Sequence, residues 1–185
     1  NPSYVGLRKD IINVIPFDGE KLKILDVGCS TGTNGKYLLE KGIAYKVLGF
    51  EYDKKMANDA EKIYDKVFQG DIENINIEEC LAGQQFDGLI FGDVLEHLRD
   101  PEAVLRVIVK LLKPGGFCII SVPNMQHIEA LWRLGVNGYW PKNGRGIFDK
   151  THLQIFTKRN LEMLTSSVGL KREKIFRNFR FRDRL

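Results

Sequence analysis

Between residues 24 and 35 the chain reads ILDVGCSTGTNG: an apolar run, a glycine turn, and the start of a helical pattern. No other stretch restricts the fold as much. An apolar strand that runs into Gly28 and Gly32 and then into a helix opens a strand-helix-strand unit, with a turn backbone bare enough for a ligand to approach. The helix start adds free N–H groups and positive dipole, which suit a phosphate or a carboxylate. The dinucleotide pattern G-x-G-x-x-G does not fit, because the glycines sit at 28, 32 and 35 while Ser30 and Thr33 stand where it needs glycine.

The remainder repeats the unit. Short apolar runs predict strands at Lys23 to Val27, Tyr45 to Glu51, Lys66 to Gln69, Phe86 to Phe91, Phe117 to Val122 and Lys171 to Arg177. Helices are expected at about Asn34 to Lys41, Lys54 to Tyr64, Pro101 to Leu112 and Lys158 to Ser167. Asp100 and Pro101 form a helix start, and Pro114-Gly115-Gly116 reads as a turn before the fifth strand. The pattern means an α/β fold: a doubly wound, mainly parallel sheet with helices on both faces and its ligand at the carboxyl ends of the strands.

At 185 residues the chain reads as one domain, residues 1–185, with the long segment 123–150 as an insertion on the substrate side. A start at Asn1-Pro2 instead of Met is expected of a piece excised from a longer chain. No apolar run reaches the roughly 20 residues of a membrane helix. Three cysteines (Cys29, Cys80, Cys118) without a C-x-x-C pair suit a reducing, cytoplasmic setting and argue against a structural zinc site. Cys80 and Cys118 read as buried hydrophobes. The last fifteen residues hold seven Lys or Arg against two acids. Such a tail could touch nucleic acid, but the alternation of Ile175, Phe179 and Phe181 with Arg180 and Arg182 favours an edge strand with a charged outer face.

Three acids mark the cleft. Glu51 ends the second strand in GFEYD, beside Tyr52; a carboxylate there accepts two hydroxyl hydrogen bonds from a ribose and repels a 2′-phosphate. Asp71 follows the third strand in QGDIEN, where it could accept from an exocyclic amine of adenine. With Asp26 these groups make the cleft negative and favour a cationic ligand over a pyrophosphate.

In order and spacing, ILDVGCSTG, Glu51, GDI at 70–72, FGDVLEHLRDP at 91–101 and LKPGGFCIISVPN at 112–124 resemble the class I S-adenosylmethionine-dependent methyltransferases, with a Rossmann-like fold, over nearly the whole chain. The resemblance implies S-adenosyl-L-methionine as cofactor. The first loop and helix would hold its methionine carboxylate, Glu51 its ribose, and Asp71 and Ile72 would flank its adenine, with Asp26, Gly28, Cys29, Ser30, Gly32, Tyr52 and Asp93 also in the cofactor-binding set. Ser30 replaces the family's commoner glycine. That fold usually ends in a seventh strand beside the sixth, and little chain follows Arg177, so the sheet edge is expected to be cut short or completed by another subunit.

The reaction implied is methyl transfer in line with the leaving sulfur, where positioning supplies about 7–11 kcal/mol and a general base about 3–5 kcal/mol. His97 in DVLEHL is the first candidate for the base, with His152 in FDKTHLQIFTKRNL the other; His127 is expected on the surface. Asp93 or Glu96 would position the cofactor's amine or the substrate. Asp93, Glu96, His97 and His152 also look similar to the ligand set of metal-dependent relatives, the small-RNA 2′-O-methyltransferases and in part the ubiquinone-pathway O-methyltransferases. A divalent metal is the less favoured reading, since Asp93 stands where the longer Glu is expected and D-V-L-E-H-L occurs in members not known to use one. Trp132, Tyr139, Trp140 and Phe148, set among turn formers, suit a lid that stacks over a ring or sugar. The preferred expectation is O-methylation of a small metabolite or glycan-related hydroxyl, with nucleic acid not favoured. An RNA ribose 2′-O-methyltransferase and a noncatalytic cofactor-binding module are the alternatives.

Overall fold

The computed structural model describes residues 6–176. Five parallel strands form one sheet: β1 (Leu22–Val27), β2 (Ala44–Glu51), β3 (Lys66–Gln69), β4 (Phe86–Gly92) and β5 (Leu112–Ser121), in the order β3-β2-β1-β4-β5. The chain winds outward in one direction from β1 to β3 and then returns to β4 on the other side. This reversal leaves a crevice beyond the carboxyl ends of β1 and β4, where an open α/β sheet binds its ligand.

Successive side chains of each strand enter opposite faces. Ile24, Val47 and Ile90 pack with Ile11, Ile12, Leu38, Ala57 and Ala60 of α1 (Lys9–Ile12), α2 (Thr33–Glu40) and α3 (Lys54–Ala60). Leu25, Leu48, Leu89 and Phe91 enter the other layer, with Ile77 of α4 (Ile77–Cys80), Val104, Leu105 and Ile108 of α5 (Pro101–Ile108), and Leu161 and Leu164 of α7 (Lys158–Ser167). A further helix, α6 (Ile128–Gly135), lies in the insertion between β5 and α7. With both faces covered, the central strands β1 and β4 bury Ile24, Leu25, Val27, Leu89, Ile90 and Phe91 almost completely.

Several expectations change. Pro114-Gly115-Gly116 lies inside β5 and forms an irregularity there: Phe86 pairs with Leu112 but Gly88 with Phe117, so the extra residues bulge from the ladder, with Gly115 at φ 78°. The helix from Lys54 ends at Ala60 and gives way to a turn, and α5 tightens into a 3₁₀ turn at Val109–Leu111. The strand expected from Lys171 is absent over 171–176. That stretch, KREKIF, has apolar residues only at its end, and Ile175 and Phe176 are 48% and 62% exposed, so no apolar face anchors it to the sheet. Arg177, the alternation through Phe179, Arg180, Phe181 and Arg182, and any seventh strand lie outside the described residues. Cys80 and Cys118 are half-buried at the margin of the core, not sealed within it.

Candidate functional site

The glycine turn after β1 is built by the strand beside it. The Phe50 carbonyl accepts from the N–H groups of both Gly28 and Cys29, at 2.9 and 3.0 Å. Gly28 has φ 73°, and a Cβ there would sit 2.3 Å from Val94 Cγ2 of the loop after β4. Conformation and close approach therefore both demand glycine. Gly35 makes room for Tyr64: a Cβ there would meet its ring at 2.2 Å. The Tyr64 hydroxyl accepts from Gly35 N at 3.0 Å and donates to Asp26 Oδ2 at 2.7 Å. It supplies the acceptor that the side-chain-free N-cap of α2, Gly32, lacks.

Among the described residues, the two non-glycines with positive φ are Ser30 (51°) and Asp93 (60°), and both line the same cleft. Each conformation costs about 1–3 kcal/mol and persists where surrounding bonds impose it. For Ser30 the bond is to Glu51, whose Oε2 accepts from Ser30 N at 2.8 Å while Oε1 accepts from Asp53 N at 2.9 Å. For Asp93 the bonds are to Ser121, which donates from Oγ to Oδ1 at 2.7 Å, and to Arg8, which donates from Nη1 to Oδ2 at 2.7 Å. Arg8 also donates to Asp10 and to Ser121, and its backbone N–H binds Asn34 Oδ1 at the start of α2. The N-terminal segment is thereby fastened across the end of the sheet.

The cleft encloses about 590 Å³, inside the range typical of sites for cofactors and small ligands. Asp26, Gly28, Cys29, Ser30, Glu51, Tyr52, Asp71, Ile72, Asp93 and His97 all line it; Gly32 shapes the turn from beneath, against Ala60 and Tyr64. Asp71 turns its oxygens to Glu73 N and Asn74 and lies near Arg99. Burial pushes the Asp26 carboxyl up to about 7; the Tyr64 hydrogen bond and Arg8 pull it down, and Glu51 adds to the rise. Burial likewise raises the Cys29 thiol, which marks it as a packing group and not a nucleophile.

On the far side, Leu95–His97 form a 3₁₀ turn in which Glu96 is 1% exposed. The Glu96 carbonyl accepts from the N–H groups of Leu153 and Gln154, which fastens the segment before α7 to this turn. His97 and His152 thereby meet edge to face, ring centres 5.0 Å apart. Glu96, His97 and His152 each offer one ligand atom within 4.8 Å of the others. Asp93, the fourth member expected, is engaged instead by Arg8 and Ser121. Burial and then the neighbouring His97 hold His152 below the usual imidazole range, against an opposing pull from Asp149. His127 is exposed and caps α6, accepting from Glu129 N.

The insertion departs most from expectation. Of the segment 123–150, Gly144, Asp149 and Lys150 line the cleft, while Trp132, Tyr139, Trp140 and Phe148 do not. Phe148 is buried against Trp140 and under Arg133, and Trp132 and Tyr139 are 59% and 58% exposed. Arg8, Tyr64 and Thr151 join the site without having been expected there. Each reaches a partner across a long separation, and Thr151 sits in FDKTHLQIFTKRNL, a motif that pointed to His152.

Residues 6–174 match the model of a family described as a methyltransferase domain. A curated ubiquinone biosynthesis O-methyltransferase, mitochondrial, from Dictyostelium discoideum is 28% identical over 178 residues, which cover 80% of this chain and 54% of that protein. The chain spans about half the length of the curated relatives it matches. A crystal structure of a SAM-dependent methyltransferase from Archaeoglobus fulgidus superposes with a TM-score of 0.67 at 20% identity, over 88% of this chain and 67% of that one. A plantazolicin methyltransferase in complex with SAH superposes with a TM-score of 0.62 at 18% identity, over 83% of this chain and 57% of that one. Among the described residues, no helix is long and apolar enough to cross a membrane.

Proposed function

The chain belongs to the methyltransferase domain family, and from that premise we propose that it transfers the methyl group of S-adenosyl-L-methionine to a hydroxyl of a small metabolite or glycan-related acceptor. The observation that carries the reading is the meeting of Asp26, Glu51 and Asp71 with the glycine turn in one cleft. The groups present suit the cofactor. Glu51 holds Ser30 N and Asp53 N and keeps lone pairs for ribose hydroxyls. The acids favour a sulfonium, and Arg8 with the start of α2 offers a cation and N–H groups to a carboxylate. Asp71 and Ile72 form the end of the cleft proposed for adenine.

When bound, the cofactor supplies an electrophilic methyl group on a positive sulfur. The chain's own contribution is to orient the acceptor against it and to take the acceptor's proton, a role we assign to His97, with Glu96 and His152 supporting it. Three cysteines, none disulfide-bonded among the described residues, are in keeping with a cytoplasmic protein.

The convergence of Glu96, His97 and His152 favours a second reading, in which these three hold a divalent ion that polarises the acceptor hydroxyl. An RNA ribose would fall under this reading. Incubation with methyl-labelled S-adenosyl-L-methionine and acceptor pools, with and without a chelator, tests both. Chelator-insensitive labelling of a small or glycan-derived hydroxyl compound is expected. Labelling that the chelator abolishes moves the assignment to the second reading, and no labelled acceptor of any class refutes both.

A further inference from the structure

A short polar chain leads away from His97 into the segment before α7. Asp149, 6% exposed, accepts at Oδ1 from the Thr151 hydroxyl at 2.7 Å and from the Thr151 N–H at 2.9 Å. The Thr151 hydroxyl oxygen and the Thr151 carbonyl oxygen each lie 3.2 Å from His97 Nδ1. A carbonyl can only accept. The hydroxyl has one proton, and the shorter bond to a carboxylate takes it. Both oxygens facing Nδ1 are therefore acceptors, and the ring nitrogen between them must carry hydrogen.

We propose that Asp149 and Thr151 are positioning residues that hold neutral His97 as its Nδ1–H tautomer, so that Nε2 carries no hydrogen and is the nitrogen that takes the acceptor's proton. The inference deepens the proposed function and rests on it for that last clause alone; the tautomer follows from the geometry. Which nitrogen of an imidazole is protonated is set by the bond the other one makes. The Asp149 carboxylate sets the direction of the whole chain, because it orients the Thr151 hydroxyl away from the ring. Removing the carboxylate frees that hydroxyl to donate to Nδ1, which would favour the opposite tautomer. The motif FDKTHLQ thus joins the site through Asp149 and Thr151 as well as through His152.

The test is long-range ¹⁵N–¹H correlation spectroscopy on the full chain labelled at histidine, at a pH where His97 is neutral. The chain holds three histidines, and His127→Gln and His152→Gln assign the signals. The wild-type protein should show His97 with Nδ1 protonated and Nε2 unprotonated, and Asp149→Ala should shift the population toward Nε2–H. Because Asp149 is buried, Thr151→Val provides an independent arm. It should lower kcat by about 10- to 100-fold, leave the calorimetric Kd for S-adenosyl-L-methionine within about twofold, and be rescued by Thr151→Ser. A wild-type His97 carrying its proton on Nε2, or an unchanged kcat in Thr151→Val, overturns the proposal. The spectra need neither methyl donor nor acceptor, so a failure of the methyl-transfer reading leaves the tautomer result legible.

Discussion

Around the turn between β1 and α2, the side chains of Asp26, Cys29 and Tyr64 are buried and bonded to one another or to backbone, whereas across the cleft the insertion leaves Trp132 and Tyr139 more than half exposed. The first region is assembled by the sheet itself. Phe50 grips the turn, Glu51 ties it to the loop after β2, and Tyr64 wedges beneath α2 in space opened by glycine. The second carries a small core of its own, Phe148 against Trp140, and the segment after it is tied to the turn after β4, where the Glu96 carbonyl accepts from the N–H groups of Leu153 and Gln154. On the proposed function, a cofactor side built by the sheet and an acceptor side built by an insertion allow one chemistry to be kept while the acceptor changes.

Substitutions in the two regions should separate binding from turnover. The largest effect is expected on the acceptor side. His97→Ala should lower turnover by about 10²–10⁴-fold while calorimetry finds cofactor affinity unchanged; unchanged turnover removes His97 from the mechanism. Next comes the cradle. Glu51→Ala deletes the charge-assisted bonds to Ser30 and Asp53 together with the proposed ribose contact, and should weaken cofactor binding by about 10- to 100-fold, with kcat at saturation changed far less. If kcat falls while Kd holds, the division between the regions is drawn in the wrong place.

A smaller effect concerns Asp26, whose carboxyl lies near 7 in the folded chain against 3.8 in its ordinary state. The folded state then binds more protons than the unfolded one across that interval, so stability should fall as pH rises from about 4 to 7. Binding of a cationic nucleoside should follow the opposite course, strengthening up to about tenfold between pH 6 and 8 as Asp26 ionises. Asp26→Asn should flatten both curves in thermal melts and titrations. Smallest is Trp132→Ala on exposed α6, which should change stability by no more than about 0.5 kcal/mol and leave cofactor affinity alone. A larger loss would show that the insertion is packed as tightly as the cradle.

Much of the cradle was legible in the chain because its signals are local. Gly28, Ser30 and Gly32 lie within five residues, strand Lys66–Gln69 and helix Lys158–Ser167 carry their own boundaries, Glu51 ends the second strand, and Asp71 stands two residues past the end of the third. What escaped depends on distance. Arg8 meets Asp93 across 85 positions, Tyr64 meets Asp26 across 38, and His97 meets Thr151 across 54. The aromatics of the insertion misled for a related reason: composition named groups able to stack on a ligand, but packing turned Phe148 into its own small core and Trp132 outward. The expected edge strand failed over 171–176 because alternation there is too sparse to bury a face.

The central claim is that acids at the ends of successive strands and a glycine turn together select a positively charged nucleoside. Calorimetric titration of the chain with S-adenosyl-L-methionine and, separately, with NAD tests it most directly. One-to-one saturable binding of the sulfonium nucleoside, weakened in Glu51→Ala, and no heat from NAD is the predicted result. Tight uptake of NAD with no response to S-adenosyl-L-methionine would contradict it.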